Sequence, residues 1–262
     1  MNKKLVDHAA ADLFLRFPCM VCLMAILAGS PLLAADSMRS KLLQDQEITM
    51  FVPFDDSPDA EISEEGLVAS TSGESVFEDG VVKRGMSLPP QEAGWIAFAA
   101  GRIFDHQRGT IMFWFQPGWN GDDEVGKYTL AWITMQNSDK YFAIHRSLNS
   151  NPKELFVNFS WDNSMNVRSP EIFQQGVWVL IAVTWSEEQQ QYALYVNGEI
   201  AAEKAWKAIK DPDLYRPVSL KLGKYYPHDD AINSSYDELM LFKRALSSEE
   251  IRAYFNETNP NR

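Results

Sequence analysis

The chain has 262 residues, of which 45% are hydrophobic and 12% aromatic, and its 24 basic and 36 acidic residues give a net charge of −12. This composition is that of a globular protein with a well-filled core, which excludes a disordered chain and a polytopic membrane protein. An acidic surface repels nucleic-acid phosphates and anionic lipids, so the charge also argues against nucleic-acid binding.

The N-terminal residues 1–35 are typical of a signal peptide. Basic residues precede an apolar run from Phe17 to Leu33, and the small side chains of Ala34 and Ala35 end it. We therefore predict cleavage after Ala35. A later start codon and an uncleaved anchor are the alternatives, because the region before the apolar run is longer than usual and carries Asp7 and Asp12. The apolar run of roughly 17 residues is at the lower limit for crossing a bilayer.

Both cysteines of the chain, Cys19 and Cys22, lie within this segment. The mature protein is therefore predicted to contain no disulfide, which suits a bacterial periplasm or cell exterior better than a small secreted eukaryotic module. We expect a secreted or periplasmic protein that is attached to a membrane only if the N-terminal segment is uncleaved.

The remaining chain shows the pattern of an all-β protein. After a polar linker at 36–46, short apolar or alternating runs separated by turn residues predict one domain at 47–257, followed by a tail at 258–262. Runs of predicted β structure lie at 48–54, 81–88, 95–99, 109–117, 127–135, 140–146, 154–161, 178–185, 192–201, 219–223 and 236–243. The acidic stretch 55–65 is predicted to be a loop.

Two local motifs mark a hairpin and a helix. Asn197 and Gly198 lie between two β runs, which predicts a type I′ turn because both central residues of that turn need positive φ. Ser247 and Glu250 have the spacing of a capping box, which predicts that the one clear helix of the domain begins there.

Five segments follow one another in a recognisable order. They are 109–117 (GTIMFWFQP), 178–185 (WVLIAVTW), 194–198 (LYVNG), 220–223 (LKLG) and 236–251 (YDELMLFKRALSSEEI). Together they resemble the laminin G-like jelly-roll family of the concanavalin A-like lectin/glucanase superfamily. The resemblance covers roughly residues 48–255 and implies an all-β sandwich of two antiparallel sheets, one with a concave side, and a short C-terminal helix. Where the family often has Gly-x-Ile before its Asp-Glu pair, this chain has Ser235 and Tyr236.

The resemblance also implies a structural calcium ion at one end of the sandwich. Its oxygen ligands would come from Asp237 and from the acidic turn after the first strand, Asp55 or Asp56. By alternation Asp237 shares a face with Leu239 and Leu241, and a buried carboxylate needs a cation or several hydrogen-bond donors. Calcium takes six to eight oxygens. The alternative is that Asp237 pairs with an arginine or with backbone N–H groups.

Aromatic and polar side chains are the second set of candidates. We expect a glycan to be bound by Trp114, Trp119, Asn158, Tyr195 and Tyr226, with Thr184 on the same concave face as Trp114, Asn158 and Tyr195. Flat aromatic faces beside polar groups suit sugar rings, which present C–H patches and hydroxyls together. The alternative for each aromatic residue is packing within the core.

Catalytic motifs are missing from the sequence. Laminarinase-like glycosidases of the superfamily carry Glu-x-Asp-x-x-Glu on one strand, so that two carboxylates face one cleft about 5 Å apart. No predicted strand has this pattern. We therefore predict an exported, non-catalytic binding module for a glycan or an extracellular protein. A polysaccharide-active hydrolase or lyase of the same fold, and a structural envelope protein, are the alternatives.

Overall fold

A computed structural model describes residues 37–63, 66–88, 94–123, 128–136, 140–146, 154–160, 166–207, 215–223 and 232–261. In these ranges the chain forms two helices, α1 (Met38–Leu43) and α2 (Ser248–Thr258), and sixteen strands. The strands are β1 (Ile48–Val52), β2 (Ile62–Ser63), β3 (Ser70–Ser72), β4 (Val76–Asp79), β5 (Arg84–Leu88), β6 (Trp95–Ala99), β7 (Arg108–Pro117), β8 (Thr129–Met135), β9 (Tyr141–Arg146), β10 (Glu154–Phe159), β11 (Val167–Glu171), β12 (Val179–Ser186), β13 (Gln191–Val196), β14 (Glu199–Ala205), β15 (Pro217–Gly223) and β16 (Ser234–Phe242). Within the described ranges, neither helix is long and apolar enough to cross a membrane.

The strands form two antiparallel sheets. The nine-stranded sheet has the order β14-β13-β12-β7-β16-β1-β2, and β5, which carries β4, pairs with the first part of β16. The seven-stranded sheet has the order β11-β10-β9-β8-β15-β6-β3. The predicted jelly-roll sandwich with a C-terminal helix is therefore confirmed.

Large aromatic side chains fill the space between the sheets. Phe113 and Phe115 of β7 and Trp185 of β12 belong to the same buried cluster as Phe142 of β9 and Phe159 of β10. Each of these side chains is no more than 1% exposed, and burial of one such group contributes about 1.5–3 kcal/mol. The alternation of the sequence predicts the core-facing side of β7 and β10 correctly.

A second apolar layer covers the outer face of the nine-stranded sheet. This helix layer packs α1 and α2 on that sheet and consists mainly of Leu42, Phe51, Met112, Trp114, Trp178, Leu180, Tyr195, Met240, Ile251 and Tyr254. Helix α1 lies in the segment predicted to be a linker. Ser37 caps it by accepting a hydrogen bond from the Ser40 amide at 3.1 Å. A helix of six residues is too short to show a periodic pattern in the sequence.

Both predicted local motifs are present. Asn197 and Gly198 have φ values of 51° and 81°, as the type I′ turn between β13 and β14 requires. At the start of α2, the Ser247 hydroxyl accepts from the Glu250 amide and the Glu250 carboxylate accepts from the Ser247 amide. The hairpin and the capping box are confirmed.

A β-bulge in β16 changes the side of the sheet on which Asp237 lies. Glu238 has a φ of 52°, and the pairing with β7 shifts register between Asp237 and Met240. Asp237 lies opposite Trp114 on the side of the helix layer, whereas Leu239 faces the core. The prediction that Asp237 shares a face with Leu239 and Leu241 is wrong, because a bulge interrupts the period-2 alternation.

Candidate functional site

Two adjacent carboxylates of β16, on Asp237 and Glu238, are fully buried. Oδ2 of Asp237 accepts hydrogen bonds from the backbone amides of Val81 and Val82 at 2.7 and 2.9 Å. Oδ1 of Asp237 has no hydrogen-bond partner among the described residues. The Glu238 carboxylate accepts two bonds from the guanidinium of Arg39, at 2.6 and 2.8 Å. Asp237 therefore bonds backbone N–H groups, which is one of the two alternatives to calcium that the sequence leaves open.

Burial is the largest influence on the pKa values of Asp237 and Glu238. It raises the pKa of Asp237 to about 8, although the amides of Val82 and Val81 oppose the shift. Burial also raises the pKa of Glu238, against the effect of its bonds with Arg39. At neutral pH the Asp237 side chain is therefore largely protonated.

The predicted calcium ligands do not form a set that fits the ion. Asp55 accepts hydrogen bonds from Lys83 Nζ at 2.6 Å and from the Arg84 amide at 3.2 Å, and Asp56 is exposed. Among the described residues, no group of three or more Asp, Glu, His or Cys side chains is arranged to hold a metal. Calcium requires six to eight oxygens, whereas Oδ2 of Asp237 and the Asp55 carboxylate accept hydrogen bonds from N–H donors. Calcium binding stays a prediction, which calorimetric titration with calcium tests.

Two of the predicted glycan-binding residues lie beneath the helices instead of on an open surface. Trp114 is fully buried in the helix layer, where its ring stacks on Phe255 with 5.7 Å between centroids. Tyr195 is 5% exposed, and its hydroxyl is 3.1 Å from Oγ of Ser248. Their predicted position on an open concave face is wrong, because α1 and α2 cover this side of the nine-stranded sheet.

Trp119 is part of the core and not of an exposed loop. Its indole N–H donates to the Ile232 carbonyl at 2.8 Å, and its ring stacks on Tyr128 at 4.7 Å. The guanidinium of Arg146 lies 4.9 Å from the same ring. Trp119 is only 4% exposed, so its predicted position in an exposed loop is wrong. Tyr226, the remaining predicted aromatic residue, lies outside the described residues.

Asn158 is the predicted residue that lies on a partly open surface. It points outward from β10 of the seven-stranded sheet, since its neighbours Val157 and Phe159 face the core. Its Oδ1 atom has no hydrogen-bond partner among the described residues. We refer to this outer surface as the aromatic face. Its main side chains are Trp95, Trp132, Tyr141, His145, Phe156, Asn158, Arg168 and Lys221.

Strand register brings the aromatic groups of this face together. Trp132 lies opposite Ala143 on β9 and stacks on Tyr141, with ring centroids 4.0 Å apart. Lys221, opposite Trp132, places its ammonium group 4.6 Å from the ring centroid of Trp95. Trp132 itself is only 2% exposed, whereas Trp95 and Tyr141 are partly exposed.

A second group of side chains lies at the other end of the aromatic face. The Arg168 guanidinium is 5.1 Å from the centre of the Phe156 ring, and the His145 ring meets the same ring edge-on at 5.0 Å. The Phe156 ring borders a groove between β11 and β14, with a volume of about 430 Å³. Aromatic rings and polar groups therefore alternate from Trp95 to Arg168.

Carboxylates are sparse on this face. Glu154 on β10 is the outward carboxylate among the described side chains, and it lies 3.8 Å from Arg168. Glycoside hydrolysis needs two carboxyl groups, at about 5–5.5 or about 6.5–9.5 Å from each other. The described part of the aromatic face contains no such pair.

Alternation in the predicted strands 127–135, 140–146 and 154–161 already places Trp132, Tyr141 and Phe156 on one side of their strands. The sequence pattern does not show that α1 and α2 pack on the outer face of the nine-stranded sheet. The long-range packing of α1 and α2 decides this, so the sequence-based prediction places the open face on the wrong sheet.

Comparison with known proteins identifies the family. The profile of the Laminin_G_3 family, in the concanavalin A-like lectin/glucanases superfamily, matches residues 90–252. The chain belongs to the Laminin_G_3 family. The resemblance found in the sequence is thereby confirmed. No curated protein matches the sequence significantly.

Solved structures similar to this Laminin_G_3 domain include toxin binding domains and one domain of an arabinanase. The botulinum neurotoxin serotype D binding domain aligns with a TM-score of 0.63 and 11% identity, over 80% of this chain and 52% of the toxin domain. Domain 4 of AbnA, a GH43 extracellular arabinanase from Geobacillus stearothermophilus solved in complex with arabinotriose, aligns with a TM-score of 0.61 and 15% identity, over 79% and 97% of the two chains. The chain thus spans about half the length of the toxin binding domains. At these identities the likeness shows the fold.

Proposed function

We propose that this Laminin_G_3 domain is a non-catalytic carbohydrate-binding module that binds a glycan on the aromatic face. The observation that carries the proposal is the alternation of partly exposed rings and polar groups across one sheet, from Trp95 and Lys221 to Phe156 and Arg168. The sugar-ring C–H patches would pack on the rings. Lys221 and Asn158 would supply hydrogen bonds to hydroxyls.

The unpaired oxygen of Asn158 supports the same surface. A polar atom that stays buried without a partner costs free energy, so rotation of the partly exposed Asn158 side chain toward a ligand donor would remove that cost. A sugar hydroxyl is a suitable donor. The described part of the face also lacks paired carboxylates, which supports binding without hydrolysis.

The similar structures support a carbohydrate ligand by analogy. The AbnA domain was solved with arabinotriose, and the neurotoxin type C structure concerns interaction with two ganglioside molecules. Fold analogy is a weak guide to ligand identity, so the aromatic face itself carries the argument. We further propose that the module is exported, on the basis of the signal-like residues 1–35.

Binding of soluble oligosaccharides tests this function. A glycan array selects ligands, and isothermal titration calorimetry compares the wild-type protein with the Trp95→Ala and Phe156→Ala variants. We expect each variant to bind about two- to tenfold more weakly, since one stacking contact of this kind is worth about 0.5–1.5 kcal/mol. Exposed Val68 provides a control, because Val68→Ala removes an apolar side chain outside the aromatic face. An inert glycan array, or equal affinities in all variants, would contradict the proposal.

A further inference from the structure

A second cavity lies on the opposite side of the sandwich. It occupies about 310 Å³ between the outer face of β12 and β13 and the N-terminal end of α2. Ligand pockets range from about 300 to about 1,000 Å³, so this one has room for a small molecule. We refer to it as the hydroxyl pocket. The polar residues that line it are Thr184, Gln189, Gln191, Tyr195, Arg244, Ser247, Ser248, Glu249 and Glu250.

The hydroxyl pocket exists because two small side chains form its floor. Thr184 and Ala193 lie directly opposite each other on β12 and β13. Elsewhere on the same face, the larger Leu180 and Trp114 fill the space below the helices. Cross-strand neighbours share one face, so the small pair leaves a depression next to the ring of Tyr195.

The wall of the pocket is held in place by hydrogen bonds within the protein. The Thr110 hydroxyl donates to the Arg244 carbonyl at 2.8 Å and accepts from the Leu246 amide at 2.9 Å. The Arg244 guanidinium bonds both Asp45 and Glu250, with shortest distances of 2.6 Å. The pocket is therefore formed before any ligand arrives, which lowers the entropic cost of binding.

Thr184 is only 5% exposed, and it lines the pocket. A ligand in the pocket would therefore meet the Thr184 hydroxyl, which can both donate and accept a hydrogen bond. The nearby hydroxyls of Tyr195 and Ser248 bond each other and can turn toward a ligand.

The charges around the pocket favour a neutral ligand over an anionic one. Arg244 is already bound by two carboxylates, and those bonds raise its pKa further above the usual value. Glu250 is ionised, because its bonds with Arg244 lower its pKa. Glu249 is exposed at the rim and adds negative charge. Neutral hydroxyl groups match the remaining donors and acceptors.

We propose that the hydroxyl pocket binds one neutral monosaccharide unit, or a polyol of similar size, independently of the aromatic face. The Thr184 hydroxyl and the Tyr195–Ser248 pair bond its hydroxyls, and Gln189 and Gln191 line the same pocket. The two sites lie on different sheets, so occupation of one does not require the other.

Amide-resolved NMR titration tests this site. The full-length protein is titrated with arabinose, xylose, glucose and galactose, and with glucuronate as the anionic probe. We expect at least one neutral sugar to shift the amides around Thr184, Ala193 and Ser248 saturably, and glucuronate to leave them unchanged. Shifts restricted to the aromatic face would overturn the second site and leave the proposed function intact. The absence of any saturable shift with the neutral sugars would also overturn it.

Two variants test the contacts. Thr184→Val removes the hydroxyl at constant shape and is expected to weaken binding about three- to tenfold. Ala193→Leu fills the floor of the pocket and is expected to abolish binding. Thr71→Val makes the same chemical change at an exposed threonine of β3 and provides the matched control. Melting curves verify that the variants fold. Unchanged affinity in folded Thr184→Val and Ala193→Leu proteins would overturn the assignment.

Discussion

Arg39 in α1 and Glu238 in β16 form a two-bond ion pair, at 2.6 and 2.8 Å, across 199 positions of sequence. The Glu238 side chain is fully buried, and the Arg39 side chain is 25% exposed. Tyr254 of α2 donates a further bond to Glu238 at 3.1 Å. One buried carboxylate therefore links the N-terminal helix, the last strand and the C-terminal helix.

Removal of the arginine is expected to destabilise the domain strongly. Arg39→Ala leaves Glu238 without its cation, and breaking a buried pair in this way costs about 3–5 kcal/mol. We expect a loss in the free energy of unfolding of about 3 kcal/mol, at the lower end of this range, because Arg39 is partly solvated. Urea unfolding measures the loss. Lys41→Ala, at an exposed position of the same helix, is the control and should stay within about 0.5 kcal/mol of the wild type. Equal effects of the two changes would contradict the role of the pair.

The buried carboxyl groups of Asp237 and Glu238 predict how the stability of the fold depends on pH. Because the pKa of Asp237 is raised from 3.8 to about 8, the folded protein binds more protons than the unfolded chain in this window. Stability therefore falls as pH rises from about 4 to about 8, by up to about 1.4 kcal/mol per pH unit. The raised pKa of Glu238 acts in the same direction, while Arg39 remains protonated beside it.

Asp237→Asn is expected to flatten this dependence. The amide keeps an oxygen for the Val81 and Val82 N–H groups and cannot ionise. Thermal melts at about pH 5 and about pH 8 compare the variant with the wild type and with Asp79→Asn, which removes an exposed carboxylate. If the wild-type protein melts at a higher temperature at about pH 8 than at about pH 5, the pKa of Asp237 is not raised in the folded protein.

The sequence predicts the central strands well and the sheet edges poorly. Strands β7, β10 and β12 are predicted with errors of one or two residues, because buried alternating or apolar runs are strong signals. Four short strands, β2, β3, β4 and β11, have no predicted counterpart. All four lie at sheet edges, where one neighbour suffices and polar residues are tolerated.

The site is predicted less well than the fold for a physical reason. Alternation correctly places Phe113 and Phe159 toward the core, and Trp114 and Asn158 on the outer faces of their sheets. It does not show which outer face the helices cover. Coverage by α1 depends on the Arg39–Glu238 pair and on Leu42, contacts that no local pattern indicates. The buried state of Trp119 likewise depends on Tyr128 and Arg146, which are distant in sequence.

Trp119 and Phe156 are expected to respond in opposite ways to truncation. Trp119→Ala removes a core side chain and should lower the free energy of unfolding by about 3–5 kcal/mol. Phe156→Ala removes a partly exposed ring and should cost much less stability while weakening glycan binding. Chemical unfolding and calorimetric titration of both variants separate the two effects. A stable Trp119→Ala protein that has lost glycan binding would restore the original assignment of Trp119 as a ligand-binding residue.

The turn between β13 and β14 provides a test of the packing under α2. Gly198 has a φ of 81°, and a Cβ at this position would lie 3.1 Å from Cβ of Phe255 and 3.2 Å from Cα of Arg252. Gly176 has a similar φ of 72° with no atom within 4 Å of its added Cβ. Each alanine substitution lowers the free energy of unfolding by about 1–2 kcal/mol, because alanine disfavours the left-handed backbone conformation. Only at position 198 would the added Cβ also lie close to atoms of α2. We therefore expect Gly198→Ala to lower the free energy of unfolding by at least about 1 kcal/mol more than Gly176→Ala does. Urea unfolding of the two variants measures the difference directly, and equal losses would show that α2 does not press on the hairpin.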